Sequence, residues 1–496
     1  MKRRAFIGAL AAGVPALAGC VGGPGTEPGR TDDTATGTDT PSGSPADTPG
    51  GDPGSRWTTI VDLETAPRTY ALTPTQYRDG WIAVEVGFTS TATADSPATV
   101  RATLTNESDY DDTVPLDWLP PFGRPFSTHP RDPGSQSRHG REYTYRAGLL
   151  FAPAADNPLV ESPPAVERDA DGQWRAADTA DWTPDPVELA PGESVTGDYH
   201  LVGHPDGAGQ GRPTGIYGFT RDEDPSLTVA VWDSERPGPD TDSRFAGVSL
   251  PPLPGDGTTG WYHESDPSAP SYVEPETERT GLPAAVPFTF VNHSRKATGC
   301  GHWRFYKLVD GEWFELGPRV HTADCRMLPP GGSKRVRLRA FHAEGLDGGS
   351  CGGRSFAFEH LGGGRYAAVA GYGAETDRSA ALVEFDAPPV EVTPTDDLSV
   401  DRGDGAVTVT ADRHGDETDD ATLVVERADG ADRRLVAEQV MQRRDLRNTL
   451  PFFESGIDRV ELRTDDAVAR RASGFGSGPL RFRYAGEAFR IAASDR

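Results

Sequence analysis

The stretch Ile82-Ala83-Val84-Glu85-Val86-Gly87-Phe88 decides the fold class, because its large apolar side chains stand at alternate positions. The same alternation occurs in residues 100–104 and 227–231. Successive side chains of a β-strand point to opposite faces, so this pattern predicts strands with one buried face. Turn residues separate the segments at short intervals, which is typical of a β-sandwich. The sequence therefore predicts a mainly β protein.

A second series of alternating segments begins at Val286, Phe288 and Phe290. The dipeptide Asp310-Gly311 favours a two-residue hairpin turn between two aromatic-rich strands. The first and second series of predicted strands share three short sequence landmarks in the same order. The matching pairs are Thr103–Ser108 with Thr289–Ser294, Leu189–Ser194 with Leu328–Ser333, and Gly215-Ile216-Tyr217 with Gly364-Arg365-Tyr366. Such a repeat predicts a duplicated immunoglobulin-like sandwich, with long loops inserted into the first copy over Phe122 to Asp181.

From about Pro389 the pattern changes to a mixture of strands and helix. Val436, Val440 and Leu450 suit one face of a helix, and Asp445 is placed to N-cap a second helical turn that ends near Gly456. The predicted fold is mainly β, with two tandem immunoglobulin-like β-sandwiches followed by a small α+β (ββαββ) module. The predicted boundaries are 57–254, 255–388 and 389–496.

The amino terminus carries the pattern of an export signal. Lys2-Arg3-Arg4 precedes an apolar run that ends in Leu17-Ala18-Gly19-Cys20. The run is shorter than the roughly 20 residues that span a bilayer. It resembles a lipobox after a twin-arginine (Tat) signal, which implies lipidation of Cys20 and removal of the residues before it. An amphipathic first helix with an incidental cysteine is the alternative.

Residues 21–56 are built from Gly, Pro, Thr, Ser and Asp and contain no aromatic residue. Such a segment cannot bury enough apolar area to offset its ordering entropy, so we expect a disordered tether. As a flexible coil its ends would lie about 35 Å apart. The expected location is the cell surface, with the lipid in the outer face of the cytoplasmic membrane.

The charge of the chain is strongly acidic: 76 Asp and Glu against 49 Lys and Arg give a net charge of −27. This balance argues against nucleic-acid binding, which needs a positive surface. An acidic, lysine-poor surface favours hydration in concentrated salt. The composition resembles that of haloarchaeal proteins.

Several stretches resemble exported haloarchaeal lipoproteins: Tyr306–Trp313, Gly345-Leu346, His360–Tyr366 and Leu446–Phe453. The resemblance covers roughly Val286 to the carboxyl terminus, and residues 57–250 share only the sandwich landmarks. It implies an exported protein with immunoglobulin-like domains. It brings no activity and no functional residues with it.

Three cysteines fall in the second predicted sandwich. Cys300 and Cys325 lie at the two ends of one predicted hairpin, so a Cys300–Cys325 disulfide is preferred, and pairing of Cys351 with either is the alternative. His302 and His321 stand beside the hairpin cysteines. The four side chains could instead bind zinc or copper, although their spacing is not that of the common motifs.

Other candidate sites are weaker. Gly348–Gly352 matches GxSxG around Ser350, but it lacks the flanking strand and helix of a nucleophile elbow. Acidic turns at residues 109–112, 222–224 and 401–405 could bind calcium, and none has the EF-hand pattern.

Asn106 and Asn292 begin sequons for N-glycosylation at equivalent repeat positions, where they could equally serve a turn. Trp118, Trp303, Tyr306 and Trp313 could form a recognition patch, although sandwich cores also need such aromatics.

Together these features favour a non-catalytic, lipid-anchored surface protein with a binding or structural role and no cofactor. An envelope protein or polysaccharide is the expected partner besides the membrane. The alternative is an extracytoplasmic metal-binding or redox accessory protein that uses the Cys/His cluster, and a hydrolase acting through Ser350 is a third hypothesis.

Overall fold

The computed structural model describes residues 57–123, 125–135, 137, 140–178, 182, 184–219, 227–240, 242–318, 327–345, 355–371, 377–411, 420–473 and 480–493. Their strands belong to one unit, Pro49–Arg496. The described residues are 47% strand and 6% helix, which confirms the prediction of a mainly β protein.

The first module comprises the strands between residues 57 and 233. They are β1 Ile60–Asp62, β2 Arg68–Thr73, β3 Gln76–Asp79, β4 Ile82–Ser90, β5 Thr99–Asn106, β6 Asp112–Val114, β7 Leu149–Pro153, β8 Val166–Arg168, β9 Trp174–Ala176, β10 Val187–Leu189, β11 Ser194–Gly203, β12 Gly215–Phe219 and β13 Leu227–Asp233. One sheet has the order β1-β2-β13-β12, and another has the order β3-β4-β5-β11-β9-β8 with β7 also paired to β11. Alternate residues of both sheets, such as Val86, Val100 and Val229, fill one core between them.

The second module comprises the strands between residues 259 and 386. They are β14 Thr259–Trp261, β15 Ser271–Pro275, β16 Arg279–Gly281, β17 Ala284–Asn292, β18 Thr298–Gly299, β19 His302–Val309, β20 Glu312–Gly317, β21 Met327–Leu328, β22 Ser333–Ala340, β23 Ser355–Phe358, β24 Gly364–Gly371 and β25 Arg378–Asp386. The sheets β14-β25-β24-β19-β20 and β15-β17-β22-β23 share a core around Phe288, Phe305 and Tyr366.

The two modules repeat the same buried turn. Asn106 ends β5 and Asn292 ends β17, and both are fully buried. The Nδ2 group of Asn106 donates to the carbonyl of Leu189 at 3.0 Å, and that of Asn292 donates to the carbonyl of Leu328 at 2.8 Å. The main-chain carbonyl of each asparagine also accepts the backbone N–H of a turn glycine: Gly192 donates to Asn106, and Gly331 donates to Asn292. The matching landmarks of the sequence therefore build matching hydrogen bonds.

A tyrosine repeats in the same way. The hydroxyl of Tyr217 donates to the carbonyl of Pro213, and that of Tyr366 donates to the carbonyl of Gly362, both at 2.6 Å and four residues upstream. Both rings are fully buried. The glycine two residues before each tyrosine has a positive φ, 134° and 125°, that only glycine adopts readily.

The third module comprises the elements between residues 398 and 493. They are β26 Leu398–Gly403, β27 Ala406–Ala411, β28 Asp420–Arg427, β29 Arg433–Arg434, α1 Ala437–Met441, α2 Arg444–Arg447, β30 Arg459–Asp465, α3 Asp466–Ser473, β31 Leu480–Tyr484 and β32 Glu487–Ala493. One seven-stranded sheet has the order β26-β27-β30-β28-β32-β31-β29. It carries more strands than the predicted ββαββ pattern: β26 is largely exposed and β29 has only two residues, so neither shows a clear apolar alternation.

A buried ion pair joins the second and third modules. Lys307 on β19 pairs with Glu438 on α1, and the side chains are 10% and 3% exposed. The same carboxylate accepts the backbone N–H of Gly362 at 3.1 Å. Removing one partner of such a pair leaves an uncompensated buried charge.

Two local predictions need correction. The insertion predicted as loops contains β7, β8 and β9, and every residue of β7 is buried. Asp445 does not N-cap a helical turn, because it lies inside α2 and its carboxylate is bound by Arg443.

None of the helices in the described part of the chain could span a bilayer.

Candidate functional site

Strand β13 is apolar on both faces. Val229 and Val231 point into the first core, whereas Ala230 and Trp232 point the other way and join Ile60 and Ala71 in a separate buried cluster. That outer face meets the second module. A Cβ added to Gly331 would lie 2.4 Å from the Cβ of Ala230, so the turn of the second module is seated directly on this sheet.

His293 fixes the same joint from the second module. Its ring stacks on Trp232 with centroids 5.1 Å apart and an interplanar angle of 6°. Its Nδ1–H donates to the carbonyl of Pro237 at 2.6 Å, since a carbonyl can only accept. The backbone N–H of Gly134 also donates to the hydroxyl of Ser333 across the joint, at 2.8 Å. These contacts hold the two modules in one arrangement.

A cleft of about 570 Å³ opens at this joint. The first module contributes the ends of β12 and β13 and the loops near Asp132 and Arg141, and the second module contributes Tyr272, Glu274 and His293. The volume lies within the range of roughly 300–1,000 Å³ that small-molecule sites occupy. The lining is mostly polar, with a small aromatic floor.

Two ion pairs hold four of the seven charged side chains that line the cleft. Arg68 Nη1 lies 2.9 Å from the carboxylate of Asp233, and Arg141 pairs with Asp132. The Nε–H of Arg68 donates to the carbonyl of Arg212 at 2.9 Å. These contacts orient the guanidinium groups of Arg68 and Arg141 at the cleft.

The ring groups of the floor are neutral at pH 7. Burial lowers the pKa of His293, although its hydrogen bond to Pro237 acts in the opposite direction. Burial also raises the pKa of Tyr272 far above its ordinary value, and Glu274 adds to that effect. The floor thus offers aromatic surface without charge.

The predicted cysteine and serine sites fall largely outside the described residues. Cys20, His321, Cys325, Ser350 and Cys351 all lie there. Cys300 is 3% exposed and belongs to the second core. The Cys300–Cys325 disulfide and the Cys/His metal site remain predictions. Among the described residues, no three metal-binding side chains converge on one point.

The two sequon asparagines serve turns in the folded chain. Both are 0% exposed, and each Nδ2 atom donates to main-chain carbonyls. Glycan transfer requires that nitrogen to be accessible. The geometry therefore favours the turn role over glycosylation of the folded protein.

The acidic turns have other partners or lie outside the described part of the chain. Asp112 accepts the indole N–H of Trp81 at 2.7 Å. Asp401–Gly405 forms the end of β26 and its turn, and Asp222–Asp224 is outside the described residues.

The four aromatic residues of the predicted patch are mainly core residues. Trp303, Tyr306 and Trp313 are 3%, 2% and 6% exposed, and the half-buried Trp118 packs against the first core. The core interpretation of these residues is confirmed.

The residues of the cleft were not singled out as a site by the sequence. Only Val229 and its alternate neighbours were used to predict β13, yet Ala230 and Trp232 on the other face are also apolar. A strand without a polar face indicates burial on both sides. The apolar residues on the second face are therefore the one sequence signal of a contact surface at this strand.

No family model and no curated protein matches the chain. One solved structure, a polysaccharide lyase, aligns with this chain at 12% identity and a TM-score of 0.13. The alignment covers 63% of this chain and 35% of the lyase. The chain thus spans about a third of that protein, and a likeness this low carries no argument about fold or activity.

Proposed function

We propose that this chain is a lipid-anchored, non-catalytic protein of the cell surface that binds an envelope component through its inter-module cleft. The location follows from the twin arginine and from Leu17-Ala18-Gly19-Cys20. A single lipid chain anchors only marginally, so we expect a two-chain lipid.

We propose further that the first two modules are tandem immunoglobulin-like sandwiches and the third is a small α+β domain. The repeated tyrosine supports this, because a buried tyrosine that hydrogen-bonds to the main chain a few residues upstream is a hallmark of that fold. The repeated asparagine turn supports a duplication. Loops at module ends are the parts of such folds that usually carry binding sites.

The observation that carries the binding role is the cleft, because it is built by contacts between modules rather than by one fold alone. Gly331, His293 and Ser333 brace it from one side, and Trp232 and Gly134 brace it from the other. A preorganised cleft lowers the ordering cost of binding.

The test is made in intact cells. A proximity-labelling enzyme fused at the carboxyl terminus should mark an envelope component, and fractionation should place the chain in the membrane with a lipid on Cys20. Cys20→Ser is the matched control, and it should release the chain from the membrane. An unlipidated chain in the cytosolic fraction would refute the anchor. Labelling of the same components by the released variant would refute a surface-specific partner.

A further inference from the structure

The geometry points to a neutral, hydroxyl-rich saccharide as the ligand of the inter-module cleft. This inference rests on the proposed binding role and gives it a substrate class. Three features of the lining argue for it: its charge balance, the way its ions are paired, and its aromatic floor.

The charge balance of the lining disfavours a strongly charged ligand. The cleft carries four carboxylates against three guanidinium groups, which leaves one net negative charge in a chain of net charge −27. An anionic saccharide or a phosphate would meet repulsion from both. A polycation would gain little, because three of the four carboxylates have a guanidinium or hydroxyl neighbour.

The pairing of these ions suits hydroxyl groups. Two of the three guanidinium groups already have a carboxylate partner, Arg68 with Asp233 and Arg141 with Asp132. A hydroxyl can donate to the carboxylate and accept from the guanidinium at once, because it carries one donor and two acceptor lone pairs. Vicinal hydroxyls of a sugar present this combination repeatedly, so the pairs stay intact on binding.

The aromatic floor supplies the apolar part of the recognition. Trp232 and His293 are stacked, and Tyr272 meets His293 edge to face at 6.2 Å. Trp232 and Tyr272 are only 4% and 7% exposed, so the floor is a narrow aromatic edge, against which the apolar C–H groups of a sugar ring can pack. A largely apolar ligand would leave the polar walls without partners, which is costly.

The experiment uses the purified full-length chain in detergent. Maltotetraose, cellotetraose and mannotetraose are titrated by calorimetry and by saturation-transfer NMR. We expect saturable binding of at least one, with an affinity that changes less than about twofold between 0.1 and 1 M salt, since only charged ligands are strongly screened.

Two variants each remove one charged group from the cleft and change its net charge by one: Arg141→Gln and Glu274→Gln. Each should weaken binding about tenfold or more, as expected for a lost hydrogen bond to a charged group. Arg101→Gln is the matched control, because Arg101 forms an equivalent ion pair with Asp198 at 2.6 Å on β5 and β11, away from the cleft. It should bind like the parent chain.

Three outcomes would overturn the inference. The first is that none of the three sugars binds the chain. The second is that oligogalacturonate or oligolysine binds more tightly than every neutral sugar. The third is that Arg141→Gln and Glu274→Gln bind as well as Arg101→Gln. In each case the labelling of an envelope protein in intact cells would still support the proposed function, so the two failures are distinguishable.

Discussion

Substitution of Gly331 by alanine tests whether the second module is seated on β13 as described. Gly331 occupies the turn before β22, and Gly192 occupies the equivalent turn before β11. Their φ angles are 71° and 77°, so an alanine meets the same backbone penalty at both positions. Their surroundings differ. A Cβ on Gly192 would have nothing within 4 Å, whereas one on Gly331 would lie 2.4 Å from Ala230 and 3.2 Å from Trp232.

The expected magnitudes follow from this difference. The left-handed backbone costs an alanine about 1–2 kcal/mol at either turn. Overpacking against the outer face of β13 adds about 1–3 kcal/mol at Gly331 alone. We therefore expect Gly192→Ala to lower the free energy of unfolding by about 1–2 kcal/mol, and Gly331→Ala by about 2–5 kcal/mol.

The assay is equilibrium unfolding in urea followed by tryptophan fluorescence, with hydrogen exchange of the β13 amides measured in parallel. Gly331→Ala should also raise the exchange of Ala230 and Trp232, because the joint is loosened. Equal free-energy losses for the two variants, within about 0.5 kcal/mol, would contradict the seating of this turn on the first module.

Three further predictions concern other parts of the chain. Lys307→Met should lower the free energy of unfolding by about 3–5 kcal/mol, because the buried carboxylate of Glu438 loses its partner; Lys307→Met with Glu438→Gln should recover most of it, and no recovery would contradict the pairing. Ser294→Ala removes one sequon and should leave the mass of the cellular protein lower by one oxygen only, since Asn292 is buried; loss of a glycan mass would show that it is modified. Burial lowers the pKa of His293, so folding favours its neutral ring. The contribution of His293 to the free energy of unfolding is therefore fully present above its ordinary pKa of about 6.5, and it is lost as the pH drops below that value. The unfolding midpoint should decrease between about pH 7 and pH 5, and His293→Gln should flatten that decrease; an unchanged slope would contradict it.

The alternation of apolar residues was enough to predict the β class and most long strands. Residues 82–88 and 286–290 lie in strands β4 and β17, and the Asp310-Gly311 turn joins β19 to β20. The shared landmarks also identified equivalent positions, as the hydrogen bonds of Asn106 and Asn292 show. Local sequence is sufficient for these features, because the alternation of a strand and the preference for a turn are both determined by residues only a few positions apart.

The strands of the insertion could not be predicted by the same means. Strand β7 is buried at every residue, so Leu149–Pro153 has no period to detect. Strands β8 and β9 have three residues each, which is too short for alternation. A short apolar run does not by itself distinguish strand from helix.

The cleft could not be predicted from the sequence, because it depends on how two modules meet. In the sequence His293 stands out only as the middle of a sequon, and no motif marks Arg68 or Asp233. Arg68 and Asp233 meet because β2 pairs with β13, and the paired residues of these strands are 155 or more positions apart in the chain. Only the apolar residues on the second face of β13 were available as an indication.

Strand β13 has a consequence for how this protein can change over evolutionary time. A strand with one solvent-exposed face tolerates substitutions at every second residue, so its sequence changes quickly in evolution. Positions 229–232 have no such freedom, because one row fills the first core and the other meets the next module. Substitutions at 230 and 232 are therefore expected to covary with those at 293 and 331, so that the two modules diverge as a coupled pair.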